Sequence, residues 1–293
     1  MDIGVAVGFS HHTPVDYIVG AAKRIEAAGF AALWVPEHVV FLADYESSYP
    51  YSDDGKLPGS PEGVLDPFSV LTFVAAHTST LRLGTGVCLV PQRQPVYTAK
   101  MVADLDYLSG GRVDFGIGIG WLEEEFNVLG MDFATRAARC NEYIAAMKAL
   151  WTESPASFDG ETVSFSGVHF NPKPVQRPHP PIFVGGESRP AMRRVAAFAD
   201  GWYGFNLSPD EFVAALDRLD GHLDDAGRSR DDIKLYVSPG RLRPSASMID
   251  AYREAGAEQV VVPLVARSLD ELDERIGRLC EATGMTSHTE EPG

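Results

Sequence analysis

The stretch DFGIGIGW, residues 114–121, alternates Gly116, Gly118 and Gly120 with isoleucines directly after an apolar run. That is nearly a dinucleotide-binding fingerprint. The fingerprint needs glycine at its first, third and sixth positions, the last for close packing of helix on strand. Here the sixth position is Trp121, and Glu123, Glu124 and Glu125 follow. A bulky ring prevents that packing, and an acidic run suits a helix start better than a pyrophosphate. The stretch therefore reads as one strand end among several, and its neighbours decide the fold.

Outward from it, eight apolar, β-rich runs are spaced along the chain: Ile3–Val7, Ala32–Val35, Leu81–Val90, Val113–Ile117, Ile182–Val184, Trp202–Phe205, Ile233–Val237 and Gln259–Leu264. Most are continuous rather than alternating, as expected of parallel strands covered on both faces. Helical patterns with start signals lie between them. Thr13-Pro14 and Asp66-Pro67 each read as an N-cap followed by proline at the first helical position. Ser208–Glu211 and Ser268–Glu271 read as capping boxes, and a long helix is expected from about Ala134 to Trp151. Strand and helix alternating eight times predict a (β/α)8 TIM barrel in one domain, residues 1–293.

Two segments interrupt the repeat. Residues 39–65 form a long loop after the second strand; loops after strands lie on the catalytic face, so this is a candidate lid. Residues 152–181 hold an expected hairpin and a proline-rich run, and read as a structural wrap or a contact in an expected homodimer.

A formal net charge of −16 argues against nucleic acid or an anionic membrane as partner. The three cysteines, Cys88, Cys140 and Cys280, lack metal-ligand or disulfide spacing, which points to a reducing cytoplasm and no metal. The N-terminal sequence does not read as a signal peptide, and no run approaches the ~20 apolar residues of a membrane span.

In a barrel, chemistry gathers at the C-terminal strand ends. Those ends carry His11 and His12, then Glu37-His38, Gly86-Val87-Cys88, Gly118-Ile119-Gly120-Trp121 and Gly185-Gly186-Glu187-Ser188. Glycines at three neighbouring ends let backbone approach a flat ligand. Ser188 opens a helix whose free N–H groups and dipole suit a phosphate; it equally suits a simple cap.

Residues 83–130, LGTGVCLVPQRQPVYTAKMVADLDYLSGGRVDFGIGIGWLEEEFNVLG, resemble the bacterial luciferase-like superfamily. So do the helix carrying Arg136, Arg139 and Glu142, and residues 172–202, PKPVQRPHPPIFVGGESRPAMRRVAAFADGW. The closer resemblance is to the deazaflavin branch that uses coenzyme F420; WVPEHVVF (34–41) with YPYSDDG (49–55) is similar to an uncharacterised group of it. The resemblance spans roughly residues 1–265.

It implies a TIM barrel with insertions and a cofactor ring held against a bulge in the third strand. That bulge carries a cis peptide not involving proline, at Gly86-Val87 or Val87-Cys88. It also places GIGIGW beside the cofactor's ribityl chain and phosphate, with Arg136, Gly185, Gly186, Glu187 and Ser188 as further cofactor contacts. FMN enzymes of the superfamily carry a phosphate-binding arginine in the fourth-strand turn, where this chain has Ile119. Deazaflavin dehydrogenases end strand two with an acidic residue and histidine, here Glu37-His38. Their sugar-phosphate members have a catalytic glutamate where this chain has Trp121.

His38 can exchange a proton as hydride moves, with Glu37 orienting it or bonding the cofactor. His11 and His12 are expected on the substrate side, and Trp121, Tyr49 and Tyr51 as aromatic walls. The expected function is F420-dependent hydride transfer with a small organic substrate. An FMN-dependent monooxygenase and a flavin- or deazaflavin-binding carrier or sensor without turnover are the alternatives.

Overall fold

The computed structural model describes residues 1–57 and 63–285, and shows a closed parallel barrel ringed by helices. In chain order the elements are β1 (Asp2–Ala6), α1 (Val15–Ala27), β2 (Ala32–Val35), α2 (Pro67–Ala75), β3 (Arg82–Thr85), β4 (Cys88–Leu89), α3 (Pro95–Ser109) and β5 (Val113–Gly118). Then come α4 (Glu123–Val128), α5 (Arg136–Thr152), β6 (Ala156–Asp159), β7 (Ser164–Val168), β8 (Ile182–Gly185), α6 (Arg189–Phe198) and β9 (Gly201–Phe205). The chain continues with α7 (Pro209–Asp225), β10 (Lys234–Ser238), α8 (Ala246–Glu254), β11 (Gln259–Pro263) and α9 (Leu269–Thr283).

Strands pair in the order β3-β2-β1-β11-β10-β9-β8-β5-β4, and β3 also pairs with β5, which closes the ring. β3 and β4 are two halves of one barrel strand. The sequence predicts it as continuous from Leu81 to Val90, but the cis Gly86–Val87 peptide divides it. Beyond the break, Cys88 and Leu89 align with Ile117 and Gly118 of β5. The bulge thus lies at the mouth, as expected. The hairpin within 152–181 is β6 against β7, antiparallel.

Two start signals need correction. Thr13 does not cap α1: its hydroxyl accepts the Ser10 N–H at 3.0 Å, so Pro14 takes the cap position without a side-chain bond. Ser268 caps α9, but Glu271 turns to the Arg267 N–H and to Arg275, so the box is only half formed. Asp66 accepts from Ser69, and the Ser208–Glu211 box is complete.

One apolar layer lies between strands and helices; a smaller one fills the barrel itself. In the latter, Trp34 stacks on Tyr203 at 5.0 Å and Phe183 on Tyr236 at 4.3 Å. The Trp34 indole N–H donates to Gln259 Oε1 at 2.8 Å. Gly84 makes room for that indole, since a Cβ there would lie 2.2 Å from it. Below this layer Arg82 forks onto the buried carboxylate of Asp114.

Candidate active site at the barrel mouth

The mouth is organised by an acidic residue that the sequence reading assigned only to a helix start. Glu125 is fully buried on α4, and its oxygens collect four donors. Oε1 accepts the N–H groups of Val39 at 2.6 Å and Val40 at 3.2 Å. Oε2 faces His38 Nδ1 at 3.0 Å and accepts from Gln92 Nε2 at 2.9 Å. Burial opposes its charge, but the hydrogen bond from His38 and the charge His38 carries when protonated, with the hydrogen bonds from Gln92 and Val40, prevail and hold it below the usual carboxylate range. An ionised Glu125 fixes the proton of neutral His38 on Nδ1 and leaves Nε2 as the acceptor.

Glu37 does not orient His38. It is buried with its carboxylate turned to the other side of the chain, accepting from Leu89 N–H at 2.5 Å and from Arg93 Nε at 2.5 Å. Arg93 also reaches Asp66, so one guanidinium ties β2, the strand after the bulge and the start of α2. Cys88 lies against the same group; burial first, then the Glu37 charge, push its thiol well up.

Two of the glycines also make room for a protein side chain. A Cβ at Gly118 would lie 2.6 Å from Val87 Cγ2, and one at Gly185 3.1 Å from Val87 Cγ1. The side chain thrown inward at the bulge occupies the space that the missing Cβ atoms leave. Gly120 (φ 81°) turns the chain into α4, where a Cβ would meet Phe126 at 2.7 Å. Ile119 packs half-buried against the core.

On the opposite rim, Ser188 caps α6 by accepting from Ala191 N–H at 3.3 Å. Gly186 before it has φ 98°. Glu187 accepts from Phe205 N–H at 2.7 Å and from the Tyr51 hydroxyl at 3.2 Å, and burial raises its pKa. Arg136 opens α5 with its guanidinium 3.6 Å over the Phe133 ring and its Nε buried without a partner. Burial first, and Arg194 second to Glu123 among its charged neighbours, leave its pKa lowered. A capped helix start and an arginine with an unused donor are groups an anionic tail can use.

Aromatic rings border His38. Phe41 lies 4.7 Å from the His38 ring and Trp121 stands edge-on to it at 5.9 Å; Tyr45 and Tyr49 in turn meet Trp121 at 5.7 and 5.2 Å. Tyr49 meets Tyr51, which meets Phe205 at 4.9 Å. His11 and His12 lie on the β1–α1 loop, their rings 3.7 Å apart. His12 lines a groove of about 250 Å³ with Gly8, Phe9, Tyr17 and Arg267. Among the described residues no group of three or more His, Cys, Asp or Glu could hold a metal ion, and no helix is long and apolar enough to cross a membrane.

A signal for Glu125 existed in the sequence. Leu122, Glu125, Phe126 and Leu129 recur at helical spacing, so this glutamate alone of the three falls on the inward stripe. Arg93 and Gln92 carried no such mark.

Comparison with known proteins places these features in a family. The model for luciferase-like monooxygenases matches residues 1–277. An uncharacterised protein of Mycobacterium tuberculosis is 34% identical over 263 residues, covering 88% of this chain and 91% of its own. An FMNH2-dependent dimethylsulfone monooxygenase of Pseudomonas putida is 31% identical over 196 residues, 66% of this chain and 51% of its own. The coenzyme F420-dependent tetrahydromethanopterin reductase of Methanopyrus kandleri superposes with a TM-score of 0.70 at 17% identity, over 93% of this chain and 96% of its own. Barrel, strand-three bulge and sequence agree: the chain belongs to the luciferase-like monooxygenase family.

Proposed function

We propose that this chain is an F420-dependent oxidoreductase that moves a hydride between the deazaflavin and a small organic alcohol or carbonyl compound. The observation that carries the proposal is the His38–Glu125 pair. When bound, the deazaflavin supplies the hydride-carrying carbon. The protein must then give the substrate oxygen a proton, or take one from it, for each hydride. Glu125 leaves Nε2 of His38 free for that proton and stabilises the imidazolium that forms when His38 accepts it. Phe41 and Trp121 pack on the His38 ring and shield it from water, which strengthens the pair. Ser188, the α6 N–H groups and Arg136 would hold the phosphate; the backbone at Gly86-Val87 and Gly118–Gly120 would back the ring. Ile119, where FMN members of the resembled superfamily carry an arginine, favours the deazaflavin.

FMN-dependent monooxygenation with reduced flavin and oxygen is the second reading. Arg136, with its unused buried donor, and the similarity to the dimethylsulfone monooxygenase favour it. Titrating the apoprotein with F420 and with FMN separates the two. Tight F420 binding without FMN binding is expected; the reverse result overturns the proposal in favour of the second reading. Ser188→Asp keeps the helix cap but sets like charge against the phosphate, and should weaken binding by about 10–100-fold, or ~1–3 kcal/mol. An unchanged dissociation constant moves the phosphate elsewhere. Saturable binding without hydride transfer to any acceptor indicates a carrier.

A further inference from the structure

The segment after β2 crosses the mouth as an internally bonded body. Tyr49 N–H donates to Gly55 O at 2.8 Å, and Gly55 N–H to Ser52 O at 3.2 Å. The Ser52 hydroxyl donates to Lys56 O at 2.8 Å and Leu57 N–H to the Tyr45 hydroxyl at 3.0 Å. The Lys56 ammonium donates to Tyr45 O at 3.1 Å and sits 4.2 Å from the Tyr45 ring centre. Chain that satisfies its own polar groups in this way can move as a unit without unfolding.

Its attachments to the barrel differ in kind at the two ends. At the near end, α4 grips it. Glu125 takes the N–H groups of Val39 and Val40; Glu124 takes those of Glu46 at 2.6 Å and Ser47 at 3.1 Å; the Ser47 hydroxyl accepts Glu123 N–H at 3.1 Å. At the far end stand the Tyr51 hydroxyl on Glu187 at 3.2 Å and the edge of the Tyr51 ring on Phe205. Several charge-assisted bonds oppose one long bond and one ring edge, so separation occurs first at Tyr51. That end also lies over the rim proposed for the cofactor: a Cβ on Gly186 would be 3.8 Å from the Tyr51 hydroxyl oxygen.

We infer that residues 42–57 form a lid hinged on Glu124 and Glu125 and latched by Tyr51 on Glu187. It must unlatch for a phosphate-bearing cofactor to reach Gly186 and Ser188. The gating role rests on the proposed cofactor site; the existence of the lid does not. The test uses the full chain carrying Phe205→Cys, which puts a thiol beneath Tyr51. Its labelling rate by a water-soluble disulfide reagent scales with the open fraction, and the parent chain, with three buried native cysteines, gives the background.

Adding Tyr51→Phe, which keeps the ring and removes the latch hydroxyl, should speed labelling about tenfold. In Glu187→Gln the oxygen stays on the Phe205 N–H and the amide nitrogen can donate to the Tyr51 hydroxyl, so labelling should change by less than about threefold. Equal rates with and without the Tyr51 hydroxyl overturn the lid. In the chain without the added cysteine, acrylamide quenching of Trp121, isolated by a Trp121→Phe control, should rise in Tyr51→Phe; no rise counts against the lid. FMN and F420, each used as a probe, should be released about tenfold faster from Tyr51→Phe. Faster labelling with unchanged release overturns the gating role. If neither probe binds, the cofactor proposal and the gating role fail, while labelling still decides whether the segment is a lid.

Discussion

Glu125→Gln keeps the shape of the side chain at the centre of the mouth while removing its charge and one acceptor. The two backbone donors from Val39 and Val40 can stay on the remaining oxygen. The new amide nitrogen then faces His38 Nδ1 and Gln92 Nε2, which are both donors in the native chain. Each has a way to yield. Gln92 can turn its amide over and present Oε1, which is buried without a partner in the native arrangement. His38 can move its proton to Nε2 and accept at Nδ1. The substitution is therefore expected to invert the histidine tautomer with the fold intact.

Four bonds to a charged acceptor become bonds to, or from, a neutral amide. At about 1 kcal/mol for each change, less the gain at Gln92, the cost is about 2–3 kcal/mol. For a chain of 293 residues that corresponds to a fall in Tm of about 3–5 °C. Long-range ¹H–¹⁵N NMR reads the tautomer directly, with His38→Ala assigning the signal. The native chain should show Nδ1–H in the neutral ring and Glu125→Gln should show Nε2–H. Once a substrate is in hand, kcat of Glu125→Gln should fall by about 10²–10⁴, as for His38→Ala. The same tautomer in both chains would refute the reasoning, because Glu125 would then not set the state of the ring.

Two further outcomes are expected. Gly118→Ala should destabilise by about 1–3 kcal/mol through contact with Val87, and Val87→Ala in the same chain should recover most of it; additive losses in urea unfolding would show that Val87 does not fill that space. Stability should also fall on the acid side. Glu125, Asp66 and Glu124 all have lowered pKa values, Glu124 to about 2, so their contribution is complete above the unfolded carboxylate range and lost as pH drops through the folded values, from about pH 4.5 downward. Glu187, raised by burial, works with the opposite sign, its contribution complete below that range and lost as pH rises through its folded pKa. Unfolding free energies at pH 7, 5, 4 and 3 check this: Glu125→Gln should flatten the acid limb, and an unchanged limb would remove Glu125 as a source.

The barrel was legible because parallel strands covered on both faces leave unbroken apolar runs, as at Ala32–Val35, where expectation and structure coincide. Caps were legible where a side chain had no closer partner, as at Asp66 and Ser208, and misread at Thr13, where Ser10 competes for the hydroxyl. At the site, His38 was found but its partner was misassigned. Neighbours along extended backbone point to opposite sides, so Glu37 and His38, adjacent in sequence, diverge to Arg93 and to Glu125. The strand break at Gly86-Val87 came from the resemblance alone. The room at Gly118 and Gly185 depends on where a side chain from another strand lands, which local sequence does not encode.

The rings stacked inside the barrel give the molecule a direction. Trp34, Phe183, Tyr203 and Tyr236 fill the barrel below the mouth, and the Arg82–Asp114 pair lies beneath them. The Trp34 indole N–H in this layer is already paired with Gln259 Oε1. With the inferred lid in place, the mouth, and so the segment that Tyr51 fastens, is the side from which His38 exchanges its proton with solvent. Opening of the mouth and recharging of the histidine then share one doorway, so a solvent isotope effect on turnover and the opening rate of that segment should vary together across a series of substitutions at position 51.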